Sequence, residues 1–223
     1  MSLAFWTRKP ATGPGGWDAY WNTLQAPHRD ALIDALRKLP AFDSLLEVGC
    51  GPGVNLYRVL QAFPDVDVTG LDVSQGAIDF ADRRFQEAMG NGELPGRGRA
   101  ALCSGALPDA LDVMEPVDVV LSCYGLAYVH PVDIRRTLEQ LLQLARRAIV
   151  LAEPMAMPGA PTGLIPNLGA TSRPHEFRYD YLRWFHEGVG GRWRVTSLKP
   201  VTVDRMNRLL VAERIQGIDA DGK

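Results

Sequence analysis

Apolar residues recur along this chain at two different intervals, and the two intervals take turns. In "PHRDALIDALRKLP" (27–40), Leu32, Ala35, Leu36 and Leu39 return every three or four residues, which places them on one face of a helix. Pro27 suits a first helical turn and Pro40 stops the run. "SLLEVG" (44–49) is a short apolar run ending in a turn residue, the pattern of a buried strand, and "GVNLYRVLQAF" (53–63) returns to helical spacing before Pro64. "DVTGLDV" (67–73) predicts a second strand. "SQGAIDFADRRFQEAMG" (74–90) predicts a second helix of this series, with Ser74 placed to cap it and Gly90 to end it. "RAALCSG" (99–105) and "VDVVLSCY" (117–124) predict the third and fourth strands. A strongly amphipathic helix, "DIRRTLEQLLQLARR" (133–147), and a fifth strand, "AIVLAEP" (148–154), follow.

Strands alternating with helices at this spacing predict an α/β fold, a parallel sheet with helices on both faces. The pattern then changes. "EPMAMPGAPTGLIPNLGATSRP" (153–174) is a Pro/Gly-rich loop of a length usually kept for function. "EFRYDYLRWFHEGV" (176–189) predicts a helix, and "RWRVTSLKPV" (192–201) with "NRLLVAERI" (207–215) predicts an antiparallel hairpin. The sheet is therefore expected to have seven strands, mostly parallel, the last two antiparallel. Residues 1–26, with the aromatic "ATGPGGWDAYW" (11–21), are expected to form an arm or lid, 27–215 a single domain and 216–223 a flexible tail.

The 223 residues and 46% hydrophobic content suit one domain with a real core. A formal charge of −2 gives no reason to expect nucleic acid or an anionic membrane as partner. The charge is uneven, however: residues 171–214 hold nine Lys/Arg against five Asp/Glu, which suits either a solvated surface or a cationic wall facing an anionic substrate. Three cysteines without a Cys-x-x-Cys pair fit a reduced, cytoplasmic chain and give no thiolate zinc site. No other metal-ligand spacing stands out. "MSLAFWTRKP" has too short an apolar stretch for a signal peptide, and the longest apolar run, "VVLSCYGLAYV" (119–129), is too short for a membrane span.

The chemistry concentrates in "LLEVGCGPG" (45–53), where the first strand hands over to a helix. Ligands of open parallel sheets bind beyond the carboxyl ends of the strands, and glycines there let the backbone approach closely. Asp72 ends the second strand, where a ribose diol needs a carboxylate acceptor. An adenosine-containing cofactor fits, but a dinucleotide does not. The G-x-G-x-x-G spacing fails because the third glycine, Gly53, comes one residue early and Val54 takes its place. Glu47, read as a carboxylate aimed into the site, repels a pyrophosphate and favours a cation. S-adenosylmethionine carries adenosine and a positive charge.

"LLEVGCGPG" followed by "VTGLDVS" resembles motif I and the acidic loop of the class I S-adenosylmethionine-dependent methyltransferases, and the order of elements is similar to that Rossmann-like fold over residues 27–215. The resemblance implies that Gly49, Cys50, Gly51 and Gly53 contact the methionine moiety with Glu47 in support, that Asp72 holds the ribose hydroxyls and that Val73 flanks adenine. It also implies S-adenosylhomocysteine as product. Many relatives place Asp after the third strand to anchor adenine. This chain has "CSGALPD" there, so Ser104, Gly105 or Ala106 must serve. Ser122, Cys123 and Tyr124 are expected at the cofactor's methionine end.

Methyl transfer needs alignment above all, and a hydroxyl acceptor also needs a general base. In "SCYGLAYVHP" (122–131), Tyr128 stands where relatives with an "LxHIxP" pattern have histidine, and His130 follows two residues later. His130 is the candidate base, its alternative role being to cap the helix begun near Pro131. "RPHEFRYDYLRWF" (173–185), with "LAEP", resembles methylases associated with surface-glycan or pseudaminic acid biosynthesis, and offers His175, Arg178 and Tyr179 to an acceptor. Trp17, Tyr20 and Trp21 are aromatic candidates for the same role. The sequence therefore predicts methylation of a small anionic or sugar-like acceptor, with O-methylation of a sugar or glycan precursor foremost. A non-catalytic cofactor-binding module and a nicotinamide-dependent oxidoreductase are the alternatives, and the oligomeric state is undetermined.

Overall fold

The computed structural model describes residues 2–13, 15–94, 96–156, 165–166, 176–188, 192–197 and 207–215. His175 and the 216–223 tail lie outside the described residues. The chain opens with α1 (Ser2–Thr7), α2 (Trp17–Trp21) and α3 (Pro27–Arg37). The alternating series follows: β1 (Ser44–Val48), α4 (Val54–Ala62), β2 (Asp67–Asp72), α5 (Gln75–Gly90), β3 (Ala100–Ser104), β4 (Val117–Cys123), α6 (Ile134–Leu144) and β5 (Ala145–Pro154). After it come β6 (Ile165–Pro166), β7 (Phe177–Arg178), α7 (Tyr181–Gly188), β8 (Trp193–Ser197) and β9 (Asn207–Arg214).

Seven strands form one sheet in the order β3-β2-β1-β4-β5-β9-β8. The first five run parallel, whereas β9 pairs antiparallel with both β5 and β8, as the sequence pattern predicts. β1 lies between β2 and β4, with Leu45 opposite Val68 on one side and Val119 on the other. The chain winds outward from β1 through β2 to β3, then crosses back to β4. That reversal beside β1 is where such sheets leave a crevice for a ligand.

Both faces of β1 are covered, because its four apolar or acidic residues Leu45 to Val48 are all buried. Side chains alternate, so Leu45 joins the core under α3 and α4, whereas Leu46 and Val48 join the core under α6 and α7. The same alternation sends Glu47 to the α3–α4 face. α3 buries Leu32, Ile33 and Leu36, each worth roughly 1.5–3 kcal/mol. Its exposed Arg37–Asp34 pair adds little beside that. Ser74 caps α5, its hydroxyl accepting the Ala77 N–H at 3.3 Å.

Three segments depart from the sequence pattern. The 133–147 helix stops at Leu144, because Ala145 is buried in register with Val117 and pulls the chain into β5. The 176–189 helix begins only at Tyr181. Phe177 and Arg178 pair with β6, Tyr179 bridges Met155, and Asp180 accepts the Arg183 N–H at 2.9 Å, starting the helix there. α1 has no counterpart in the apolar pattern and is held by the packing of Trp6 on Trp17 and Tyr128. Among the described residues, no helix is long and apolar enough to cross a membrane.

Candidate active site

The turn after β1 is made almost entirely of backbone. Gly49 takes φ +71°, and a Cβ there would lie 2.5 Å from the Cα of Gly125, so the β1 and β4 loops touch backbone to backbone. The Leu71 carbonyl accepts N–H groups from both Gly49 and Cys50, at 2.7 and 3.1 Å. Asp72 completes the bracing: one carboxylate oxygen accepts the Gly51 N–H at 2.8 Å, the other the Ser74 N–H at 2.9 Å. Burial pushes its pKa up from the ordinary value, against those two donors.

Beyond the carboxyl ends of β1, β2 and β4 lies a cavity of about 630 Å³. Gly49, Cys50, Gly51, Asp72, Val73 and Gly105 line one half; Cys123, Tyr124, Tyr128 and His130 line the other, with Trp17 and Tyr20 from the arm. The structure thus brings twelve of the sequence-identified residues around one space. Tyr124 holds φ +59°, an uncommon conformation for a tyrosine and of the kind that concentrates at binding sites.

Other sequence-identified residues stand elsewhere. Gly53 turns into α4 at φ +78°, and a Cβ on it would press on Phe85 and Ala81 of α5, so it serves helix packing. Ser104 bonds Gln75 at 2.5 Å, and neither it nor Ala106 lines the cavity. Ser122 is buried and donates to Glu153 at 2.7 Å. Trp21 packs among Tyr57, Phe80 and Phe85, and the Tyr179 hydroxyl donates to the Val129 carbonyl at 2.5 Å. Arg178 does not reach the cavity wall. None of the described residues in the cation-rich 171–214 segment lines it.

Glu47 requires a correction. It is fully buried beneath the turn and does not line the cavity, so it cannot act on a ligand by direct charge. One oxygen accepts the Asn55 amide at 2.6 Å and the other has no partner. Burial raises its pKa to about 8, which keeps it protonated near neutrality. Its influence passes through Asn55, which does line the cavity and whose Oδ1 accepts from Arg29. Arg29 also donates to the Thr23 carbonyl at 2.9 Å and the Thr23 hydroxyl at 2.6 Å. These contacts are all to neutral oxygens, so a buried cation faces the cavity with charge to spare.

Arg29, His28, Asn55, Trp6 and Gly125 are cavity residues that the sequence reading missed. Arg29 carried a signal: it falls on the apolar stripe of Leu32, Ile33 and Leu36, where a cation is out of place. Glu153 was also missed. It is fully buried at the end of β5, and its carboxyl accepts from the backbone N–H groups of Gly125, Leu126 and Ala127 at 3.0–3.2 Å, fixing the loop after β4. Burial raises it to about 7 despite these donors.

Residues 45–148 match the family model described as "Methyltransferase domain". That segment runs from β1 to the start of β5 and holds the braced turn, Asp72 and the β4 loop. Over that segment, just under half of its length, the chain is similar to this methyltransferase family. The match sets aside the nicotinamide alternative. Over 129 residues the chain is 30% identical to trans-aconitate 2-methyltransferase of Sinorhizobium fredii, covering 52% of this chain and 49% of that one. It is also 30% identical over 140 residues to dTDP-4-amino-2,3,4,6-tetradeoxy-D-glucose N,N-dimethyltransferase of Saccharopolyspora spinosa, covering 59% and 50%. The chain thus spans about half the length of these curated relatives. Magnesium protoporphyrin IX methyltransferase from Synechocystis, solved with bound SAH, shares the fold at a TM-score of 0.62 and 18% identity, over 88% of this chain and 84% of that one.

The cavity suits S-adenosylmethionine. It offers a braced carboxylate at the end of β2, a cation without a charged partner, and the Trp17 Nε1–H, which is buried with no acceptor. Among the described residues, no cluster of His, Cys, Asp and Glu could hold a metal ion. At the cavity's mouth α1 and α2 pack against the loop after β4. Trp6 meets Tyr128 edge-on at 4.9 Å, and the Lys9 ammonium lies 4.5 Å from the Tyr20 ring and 5.3 Å from Trp6 and Trp17. Two histidines reach this mouth. His28 is half-buried, and its pKa is lowered by burial and then by Arg29. His130 is exposed, with Nδ1 accepting the Val132 N–H at 3.3 Å.

Proposed function

We propose that the protein transfers a methyl group from S-adenosylmethionine to an oxygen of a small polar acceptor, a sugar or glycan precursor. One observation carries the reading: His28, an imidazole that burial and Arg29 keep unprotonated, stands on the wall of the same cavity as Asp72 and Arg29. In this reading Asp72 takes the ribose hydroxyls, Arg29 pairs with the carboxylate of the methionine moiety, and the Gly49–Gly51 backbone lies against it. The bound cofactor supplies a methyl group already activated on a sulfonium.

The remaining work belongs to the chain. The turn and the arm fix the acceptor's approach and exclude water, and alignment of this kind can supply several kcal/mol of the barrier. A ring nitrogen of His28 accepts the proton of the acceptor hydroxyl. His130 is less suited, because the nitrogen that accepts from Val132 leaves its other nitrogen protonated in the neutral ring. A neutral amine would need no base, so an unprotonated histidine favours oxygen as the acceptor atom. The flat faces of Trp6, Tyr20 and Tyr128 beside these polar groups suit a sugar ring, and the Saccharopolyspora relative is named for an amino sugar nucleotide. Three free cysteines fit a cytoplasmic setting.

The test is transfer of a labelled methyl group from S-adenosylmethionine to a panel of sugars, amino sugars and simple alcohols. Label in an oxygen-linked methyl group, lost in His28→Gln, supports the reading. Binding of S-adenosylhomocysteine without transfer to any small molecule would leave a non-catalytic module and overturn it.

A further inference from the structure

We infer that Trp17, a residue of the N-terminal arm, belongs to the cofactor site and donates its indole N–H to a ribose hydroxyl of the bound nucleoside. Four observations converge on it. Trp17 is 1% exposed, yet its Nε1 has no hydrogen-bond partner. A buried indole N–H almost always finds an acceptor, and leaving one unpaired carries the full desolvation cost of the group. The ring lines the cavity, so the missing acceptor can come from a ligand. Two glycines locate it beside Asp72: a Cβ built on Gly51, whose N–H Asp72 accepts, would lie 4.0 Å from Trp17 Cζ3, and one built on Gly76 in the first turn of α5 would lie 3.8 Å from Trp17 Nε1.

Asp72 itself is held between Gly51 and Ser74. The indole therefore spans the same stretch of backbone as the carboxylate, with Nε1 towards the start of α5. The two groups are complementary. A hydroxyl that donates to a carboxylate keeps lone pairs free to accept, and the indole N–H is a donor only. A vicinal diol is the ligand chemistry that satisfies both. Trp17 thus leaves the acceptor role that its place in the aromatic arm had suggested.

This inference rests on the S-adenosylmethionine reading, and the experiment separates the two. Calorimetry compares S-adenosylhomocysteine with its 2′-deoxy and 3′-deoxy analogues on the wild type and on Trp17→Phe, which keeps an aromatic ring but removes the N–H. One neutral hydrogen bond corresponds to roughly a three- to tenfold change in affinity. The wild type is expected to discriminate against one of the deoxy analogues, and Trp17→Phe to lose about that factor of the discrimination. Trp17→His, which keeps a ring N–H, is expected to recover part of it and stands in should Trp17→Phe fail to fold. Unchanged discrimination in Trp17→Phe with S-adenosylhomocysteine still bound would overturn the role of Trp17 alone. Failure of the wild type to bind S-adenosylhomocysteine would overturn the cofactor reading as well.

Discussion

The two halves of the cavity are built in different ways. The half at the ends of β1 and β2 is backbone: three successive residues of one turn, braced by the Leu71 carbonyl and Asp72. The half at the mouth is side chain, drawn from α1, α2 and α3 near the start of the chain and from the distant loop after β4. A backbone site has one geometry and tolerates little change, whereas a side-chain site can be altered residue by residue without disturbing the sheet. A fold can thus keep one cofactor while its acceptor varies.

The largest effect should fall on the backbone half. Gly49→Val places a side chain 2.5 Å from Gly125 and forces a disfavoured φ, so S-adenosylhomocysteine binding should vanish in calorimetry. Tight binding by a folded Gly49→Val protein would break the distinction. Asp72→Ala comes next. It removes the proposed ribose acceptor and frees the Gly51 and Ser74 N–H groups, and affinity should fall by about 10²–10³ on the scale of two charge-assisted hydrogen bonds. An unchanged dissociation constant would remove the ribose assignment.

His28→Gln probes the other half. Turnover should drop by about 10² while S-adenosylhomocysteine affinity stays within about twofold, because the proposed base serves only the acceptor. Since the His28 pKa is lowered, the wild-type rate should hold below the usual histidine range before it falls with acid. His130→Gln measured in parallel should cost far less, and the reverse ranking would exchange their roles.

The smallest effect lies beneath the turn. Burial holds the folded Glu47 at about 8 against an ordinary 4.5, so the native protein keeps a proton that the unfolded chain loses. Stability from this group therefore falls as pH rises from about 4.5 to about 8 and is level above. Glu47→Gln should flatten that part of the melting-temperature profile, leaving a residual slope from Glu153 up to about pH 7. An unaltered profile would show that Glu47 ionises normally.

The same contrast explains what the sequence revealed. The backbone half was legible because "LLEVGCGPG" and "VTGLDVS" are contiguous, and the strand and helix periods on either side fix where their ends meet. The side-chain half depends on which distant segments pack together, so His28, Asn55 and Trp6 gave no local sign. Glu47 was placed rightly in the chain but wrongly in space, because strand alternation, not proximity to the turn, decided which way it faced. The 145–147 and 176–180 segments escaped for a related reason. Their residues tolerate a helix, and pairing with Val117 and Met155 overrode that preference.

The carboxyl of Glu153 lies five residues past the matched 45–148 segment, yet it is what gathers the amides of 125–127 into place. Pruning the polypeptide at the edge of the recognisable family signature would therefore cut off the anchor of the cavity's own rim. What looks like the self-contained portion by similarity is not so mechanically; the smallest portable unit has to carry β5 to its end.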